Sequence, residues 1–545
     1  METKRTRILI IGGGFAGTYT AMTLEKLFKK DPNVEVGLIS KENYLVFQPM
    51  LPEVISGSIG ILDTITPIRR LCPKTNLYTR EVESIDLQNK TVTMSSGFRP
   101  TAYQLEYDHL VIAVGNITSF AGQAGLAEHA LPFKYLGDAL VLRNHLIHAL
   151  EEADIEPDRD LRRALLTFVV AGGGFSGVEV VAELNDFVRG CAGSFRRINP
   201  AEIRVVLLHS GGLILPELPE TLARFAQKLL QRRGVEIRLN TRLAGATAES
   251  ALLDGGERIA AKTLVSTVPA APNPLVASLS CKKERGRIVV NKNLEVVDCP
   301  EVWAIGDCAW VVDHKTWQPC PPTAQHATRQ AVCVAKNIYA SLRGQAKQPF
   351  AFQALGKLAS LGHRSAVAEV FGVKLSGFIA WCLWRAIYLM KMPGFDRKVR
   401  VSTDWFLDLL LPADIVQLKL EKSANLAREH FEPRQVIFRQ GDRGDRIYIV
   451  VDGEVEMVKD DRLLARLGPG DCFGEMALVN DTPRMATARV AKKTNLLSID
   501  RAAFSALFAY HPPLRQMFQN LIDQRRSEAA SNGLSEATEA RPKQA

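Results

Sequence analysis

The sequence predicts an α/β protein with two parallel-sheet units of one design, the second inserted into the first. A short apolar helical region and a small antiparallel β domain then follow. Three stretches carry that expectation: ILIIGGGFAG (Ile8–Gly17), FVVAGGGFSG (Phe168–Gly177) and IYIVVDGEVEMV (Ile447–Val458). The first two are almost the same string. At 545 residues the chain is too long for one hydrophobic core, so about two to four domains are expected. Hydrophobic residues at 46% and charged residues at 23% are ordinary for globular proteins and exclude a disordered scaffold. The net charge of +9 favours an anionic partner: nucleotide, anionic lipid or nucleic acid. Nine scattered cysteines with no CxxC argue against a secreted disulfide framework and against a zinc site.

In the first unit, Ile8 to Ile11 reads as a buried parallel strand. Gly12, Gly14 and Gly17 stand at GxGxxG spacing, with Gly13, Phe15 and Ala16 filling the turn. A helix over 18–29 and a strand over Val34 to Ser40 follow. In such a βαβ unit the first glycine permits the tight turn and the second lets backbone N–H groups approach a pyrophosphate. The third lets the helix pack on its strand. The second unit repeats the design: strand 166–171, the turn Gly172, Gly174 and Gly177, helix 178–188, strand 205–208. The reading is two Rossmann-like dinucleotide-binding domains in one chain, which points to electron transfer between two nucleotide cofactors.

A third motif, VWAIGDCA (Val302–Ala309), resembles the late motif of two-dinucleotide flavoproteins. By that resemblance Asp307 holds the ribityl chain of FAD, and an NAD(P)H domain is inserted into an FAD domain. Disulfide reductases of that superfamily carry a redox CxxxxC soon after the first turn. Here the region reads NYLVFQPMLPEVISG, without cysteine. This stretch, with LVIAVG, GGGFSGVEVVAEL, PPTAQHATRQA and LSGFIAWCLWRAIYLM, resembles the type II NADH dehydrogenases, single-chain NADH:quinone oxidoreductases. The resemblance covers about three-quarters of the chain. It implies FAD contacts from the Gly12–Gly17 turn, Lys41, Gln48, Val82, Asp307, Ala324 and Gln325. It puts Glu179 where flavin and nicotinamide meet. Hydride transfer needs no general base, so Glu179 is expected to position and tune, and its replacement by Gln to impair flavin reduction.

Three departures from the family stand out. The strand-end carboxylate expected to accept from an adenosine ribose is Ser40 in the first unit, with Glu42 two residues on. In the second unit that place reads His209-Ser210. The choice between NADH and NADPH therefore stays open, with NADH favoured by the family. In the quinone signature, Gln325 is kept but Arg329 stands where a second glutamine belongs. That leaves a soluble acceptor or oxygen as an alternative to quinone.

The longest apolar run, Gly377 to Met390, is too short to span a bilayer. Its aromatics Phe378, Trp381, Trp384 and Tyr388, flanked by basic residues, are expected to press into lipid headgroups. The opening METKRTRILIIGGG has no signal-peptide pattern. A peripheral homodimer at the cytoplasmic membrane face is the expectation.

Beyond about residue 415 lies a β-rich stretch and then LGPGDCFGEMALVNDTPRMATARV (Leu467–Val490). This closely resembles the phosphate-binding cassette of cyclic-nucleotide-binding domains, a β-barrel or jelly roll. The resemblance assigns ligand contacts to Gly474, Glu475, Met476, Ala477, Arg484 and Met485. Arg484 would meet the cyclic phosphate and Glu475 the ribose 2′-OH, and Met485 favours cAMP over cGMP. No helix-turn-helix follows, which argues against a nucleic-acid reader; a redox switch acting on a partner protein remains a rival. The expected domains are 1–120 with 290–335 (FAD), 121–289 (NAD(P)H), 336–415 (membrane interface), 416–526 (cyclic nucleotide) and a disordered tail, 527–545.

Overall fold

The computed structural model describes residues 5–504 except 98–101, 119, 121–122, 268–269, 354–355, 413, 419–425, 445, 480–481 and 502–503. They fall into two compact units, Met1–Ser95 with Tyr103–Leu418, and Ser96–Ala102 with Lys419–Ala545.

The larger unit contains the two predicted sheets. One has five parallel strands in the spatial order Val302–Ala304, His109–Ile112, Thr6–Ile11, Val34–Ser40, Asn76–Thr79. The other repeats that layout with Leu131–Pro132, Thr263–Ser266, Thr167–Ala171, Arg204–Leu208 and Val235–Arg238. Covered on both faces, these strands read as unbroken apolar runs: Ile8, Leu9, Ile10, Phe168, Val169 and Val170 are fully buried. Each such side chain contributes about 1.5–3 kcal/mol by leaving water.

The glycine turns start helices earlier than the sequence indicates, at Phe15 and Phe175 rather than at 18 and 178. The reason is local: both helices are capped by the turn's own extended glycine, Gly14 or Gly174, so no separate cap precedes them. The chain crosses between the sheets on two short strands, Asn116–Thr118 and Ala270–Pro272, paired antiparallel. The return crossing thus lies before 290. Arg287–Val289 already pairs with Ala309–Trp310 on the far side.

A three-stranded antiparallel sheet, Gly356–Ser360, Ala366–Val370 and Val373–Gly377, leads into helices Phe378–Lys391 and Phe395–Leu407. Here the structure corrects the sequence reading. Trp381 and Trp384 face inward, at 9% and 1% exposure, and Tyr388 packs on Trp384 and Phe47. Trp381, Trp384 and Tyr388 of the stripe turn to the core because a helix this apolar shows its larger rings to its own sheet, whereas Phe378 stays exposed. The large apolar residues these helices leave outside are Phe378, Ile379, Met390, Phe395, Val399, Phe406 and Leu407. Among the described residues no helix is long and apolar enough to cross a membrane.

In the smaller unit the long strands Arg446–Lys459 and Thr487–Asp500 pair antiparallel. Register slips bend them, and Leu426–Phe431, Val436–Phe438, Arg462–Leu467 and Cys472–Phe473 pair alongside. Phe438, Tyr448, Val455, Phe473 and Leu496 form the core of this β-rich domain. The end of the expected cyclic-nucleotide domain, 502–526, lies outside the described residues apart from Phe504, and the tail 527–545 wholly so.

Candidate functional site

The two glycine turns are superimposable in their packing logic. Gly12 and Gly172 have φ of +109° and +119°, a region that favours glycine. A Cβ on Gly17 would lie 1.8 Å from the Gly12 carbonyl oxygen, and one on Gly177 equally close to that of Gly172. The turn is therefore closed by backbone against backbone. A Cβ on Gly13 would strike Ser40, and one on Gly173 the ring of His209. By contrast, nothing stands within 4 Å of a Cβ on Gly14, and only Glu217 Oε1, at 3.5 Å, near one on Gly174. The outer face of each turn is open at a helix N-terminus, which fits a pyrophosphate.

Around the first turn, strand ends of the parallel sheet converge on one edge. Ser40 leads to Lys41, whose ammonium pairs with Glu81 at 2.5 Å, next to Val82. Gln48 is exposed beside Phe47, whose ring meets Phe15 of the turn at 5.9 Å. Gly306, the residue before Asp307, lies close to the first turn: a Cβ on it would come within 3.2 Å of the Ala16 side chain, and its N–H donates to Gln330 Oε1 at 2.8 Å. Burial pushes the Asp307 carboxyl up from its ordinary range, while Lys134 and Arg287 pull it down.

One strand joins the two halves. Gln325, second residue of the helix Ala324–Leu342, donates from Nε2 to the Gly356 carbonyl at 3.1 Å. The Ser360 N–H at the other end of that strand donates to Glu179 Oε1 at 3.0 Å. At ~3.3 Å per residue these ties lie about 13 Å apart on a rigid element. Gln325 Oε1 is buried and has no partner among the described residues. Glu179 is pushed up to about 8, chiefly by burial, against the lowering effect of the Ser360 amide. Arg329 is exposed and lies over the Phe352 ring at 5.5 Å.

In the β-rich unit the cassette residues meet around Gly474, whose φ is +87°. Arg484, 3% exposed, donates to the carbonyls of Gly474 and Arg446, each at 2.7 Å, and stacks on Phe438. Glu475 and Ala477 are buried, Met476 is half-buried and Met485 is exposed.

Residues 6–331 match the pyridine nucleotide-disulphide oxidoreductase family, 355–411 the NDH2 C-terminal domain and 428–511 the cyclic nucleotide-binding domain. The chain is 32% identical over 421 residues to a probable NADH dehydrogenase of Dictyostelium discoideum, covering 76% of this chain and 91% of that protein. It is 33% identical over 420 residues to the type II NADH:quinone oxidoreductase NdhA of Mycobacterium tuberculosis, covering 74% and 86%. The chain belongs to the type II NADH dehydrogenases. A structure of NDH2 from Plasmodium falciparum in complex with NADH shares the dehydrogenase's fold, at a TM-score of 0.71 and 19% identity over 76% of this chain and all of that one. The dehydrogenase is thus an oxidoreductase with a cyclic nucleotide-binding domain appended.

Sequence reasoning missed the buried carboxyls behind Glu179. Glu53 accepts from the Trp405 indole at 2.8 Å and faces Arg385, while burial holds Glu183 well above the ordinary carboxyl range. The available signal was Arg385 itself, the one charge interrupting an apolar run.

Proposed function

We propose that the dehydrogenase binds FAD on the first glycine turn and NAD(P)H on the second, and delivers electrons to a quinone near Gln325. Bound flavin would supply the chemistry, accepting hydride from the nicotinamide and passing electrons on. The chain's own residues hold and orient. The turn amides would neutralise the pyrophosphates, Asp307 would accept from the ribityl hydroxyls, and Gln325 and Glu179, both tied to one strand, would border the reacting rings. That shared strand is the observation that carries the reading: separate nucleotide sites are useful for hydride transfer only if held in register.

The exposed apolar residues Phe378, Ile379, Phe395 and Phe406, with Lys374, Lys391 and Arg400 beside them, support peripheral docking to a membrane. The cassette supports binding of a cyclic nucleotide, cAMP preferred, which regulates turnover if it binds two states unequally. Steady-state quinone reduction by the FAD-loaded protein, with and without cAMP, tests both halves. Absence of quinone reduction would overturn the first, and cAMP without effect on rate or KM the second.

A further inference from the structure

We infer that His209 sets coenzyme selectivity and admits the 2′-phosphate of NADPH. This rests on reading the second glycine turn as the nicotinamide coenzyme site. In such units the residue ending the second strand faces the adenosine ribose, and a carboxylate there accepts from the 2′-OH while repelling a 2′-phosphate. The two turns identify that residue by structure, not by spacing alone: Ser40 lies beneath Gly13 as His209 lies beneath Gly173.

The imidazole is held in a defined sense. The Gly173 N–H donates to His209 Nδ1 at 3.2 Å. With Nδ1 accepting, the neutral ring carries its proton on Nε2, by inference from the bonding. Nε2 faces Gly211, where a Cβ would come within 2.8 Å of it, so only glycine leaves that nitrogen uncovered. The loop is pinned in place. His209 N–H donates to the Arg238 carbonyl at 2.9 Å, Thr241 N–H to the His209 carbonyl at 2.9 Å, and Asn240 N–H to the Gly211 carbonyl at 3.0 Å. The ribose end of the site therefore offers a donor where the usual arrangement offers an acceptor.

The surrounding charges set how far this goes. Glu236 is bound by Arg204 and Arg238, and Glu257 by Arg238. Glu217 stands at Gly174, at the helix start and not at the strand end. Among the described residues no unpaired carboxylate at that strand end opposes a 2′-phosphate, and Arg238 is already neutralised and does not strongly select for one. Ser210, exposed next to His209, adds a hydroxyl donor. The result is dual use, with neither coenzyme favoured by more than about tenfold.

The test is calorimetric titration of the FAD-loaded protein with ADP-ribose and with 2′-phospho-ADP-ribose, alongside KM for NADH and NADPH. Wild type is expected to bind both fragments within about tenfold of each other. His209→Glu should weaken the 2′-phosphorylated fragment at least about tenfold relative to ADP-ribose, and His209→Gln, which keeps an N–H donor, should preserve the wild-type ratio. Rejection of the phosphorylated fragment by wild type, or an unchanged ratio in His209→Glu, overturns the inference and leaves the nicotinamide site standing. Failure of both fragments to bind wild type overturns the site as well.

Discussion

Arg385 Nη2 lies 3.7 Å from Glu53 Oε1 in the protein interior, and the Trp405 indole donates to the other carboxylate oxygen at 2.8 Å. The guanidinium also packs over Trp381 and Trp405, at 4.1 and 4.4 Å. A charge that looks like a flaw in an apolar helix is thus the counter-ion of a carboxylate only 3% exposed.

That pairing has a pH signature. Burial raises Glu53, and Arg385 and then the Trp405 bond pull it back. Arg385→Met removes the main restraint and leaves a buried charge unpaired, a loss of about 3–5 kcal/mol where Glu53 is ionised. A carboxyl raised on folding stabilises fully below its unfolded value, and that stability is lost as pH rises through the folded one. The variant's melting temperature should therefore fall far more at pH 8 than at pH 5. An equal drop at both would show that the effect is packing alone.

Glu179, pushed up to about 8, is mostly protonated at neutral pH. Glutamine reproduces the protonated shape, which narrows the expected impairment of Glu179→Gln to alkaline solution. Stopped-flow flavin reduction by the variant should stay within about threefold of wild type at pH 6.5 and diverge above pH 8. A loss of about tenfold at pH 6.5 would contradict the protonated assignment. The same group makes wild-type stability fall between its unfolded value and about 8, a slope the variant should lack.

Arg484 donates to two backbone carbonyls and has the Phe438 ring against it, so the guanidinium is already oriented. Charge-assisted bonds to a cyclic phosphate contribute about 1.5–3 kcal/mol each. Arg484→Ala should weaken cAMP binding by about tenfold to a hundredfold in calorimetry, with the dehydrogenase half's flavin content unchanged. Equal heats for both proteins would remove the cassette as a ligand site. Met485→Thr, at an exposed position, is expected to raise affinity for cGMP.

Membrane docking and core packing separate cleanly on the C-terminal helices. Phe395→Asp with Phe406→Asp should cut sedimentation with anionic liposomes by about tenfold or more, since each buried ring contributes about 1.5–3 kcal/mol. Reduction of a water-soluble short-chain quinone should persist. Trp384→Ala, at a 1% exposed site, should instead cost about 3–5 kcal/mol of stability. Unaltered sedimentation of the double variant would place the membrane contact elsewhere.

The two nucleotide units were legible in the chain because their demands are local. A positive φ at Gly12 and Gly172, and backbone contact at Gly17 and Gly177, admit one residue type at fixed spacing. Continuous apolar runs such as Ile8–Ile11 likewise specify strands buried on both faces. The cassette was legible through its resemblance to cyclic-nucleotide-binding domains, and the structure shows Arg484 bonded to the Gly474 carbonyl ten residues before it. Which face of Phe378–Lys391 is core was decided only by tertiary structure. Inward and outward aromatics have the same composition, and only the sheet Gly356–Gly377 distinguishes them. The Arg385–Glu53 pair, the strand linking Gln325 to Glu179, and the bond from the Gly173 N–H to His209 Nδ1 were also settled by folding, because each joins residues far apart in sequence whose meeting no local pattern encodes.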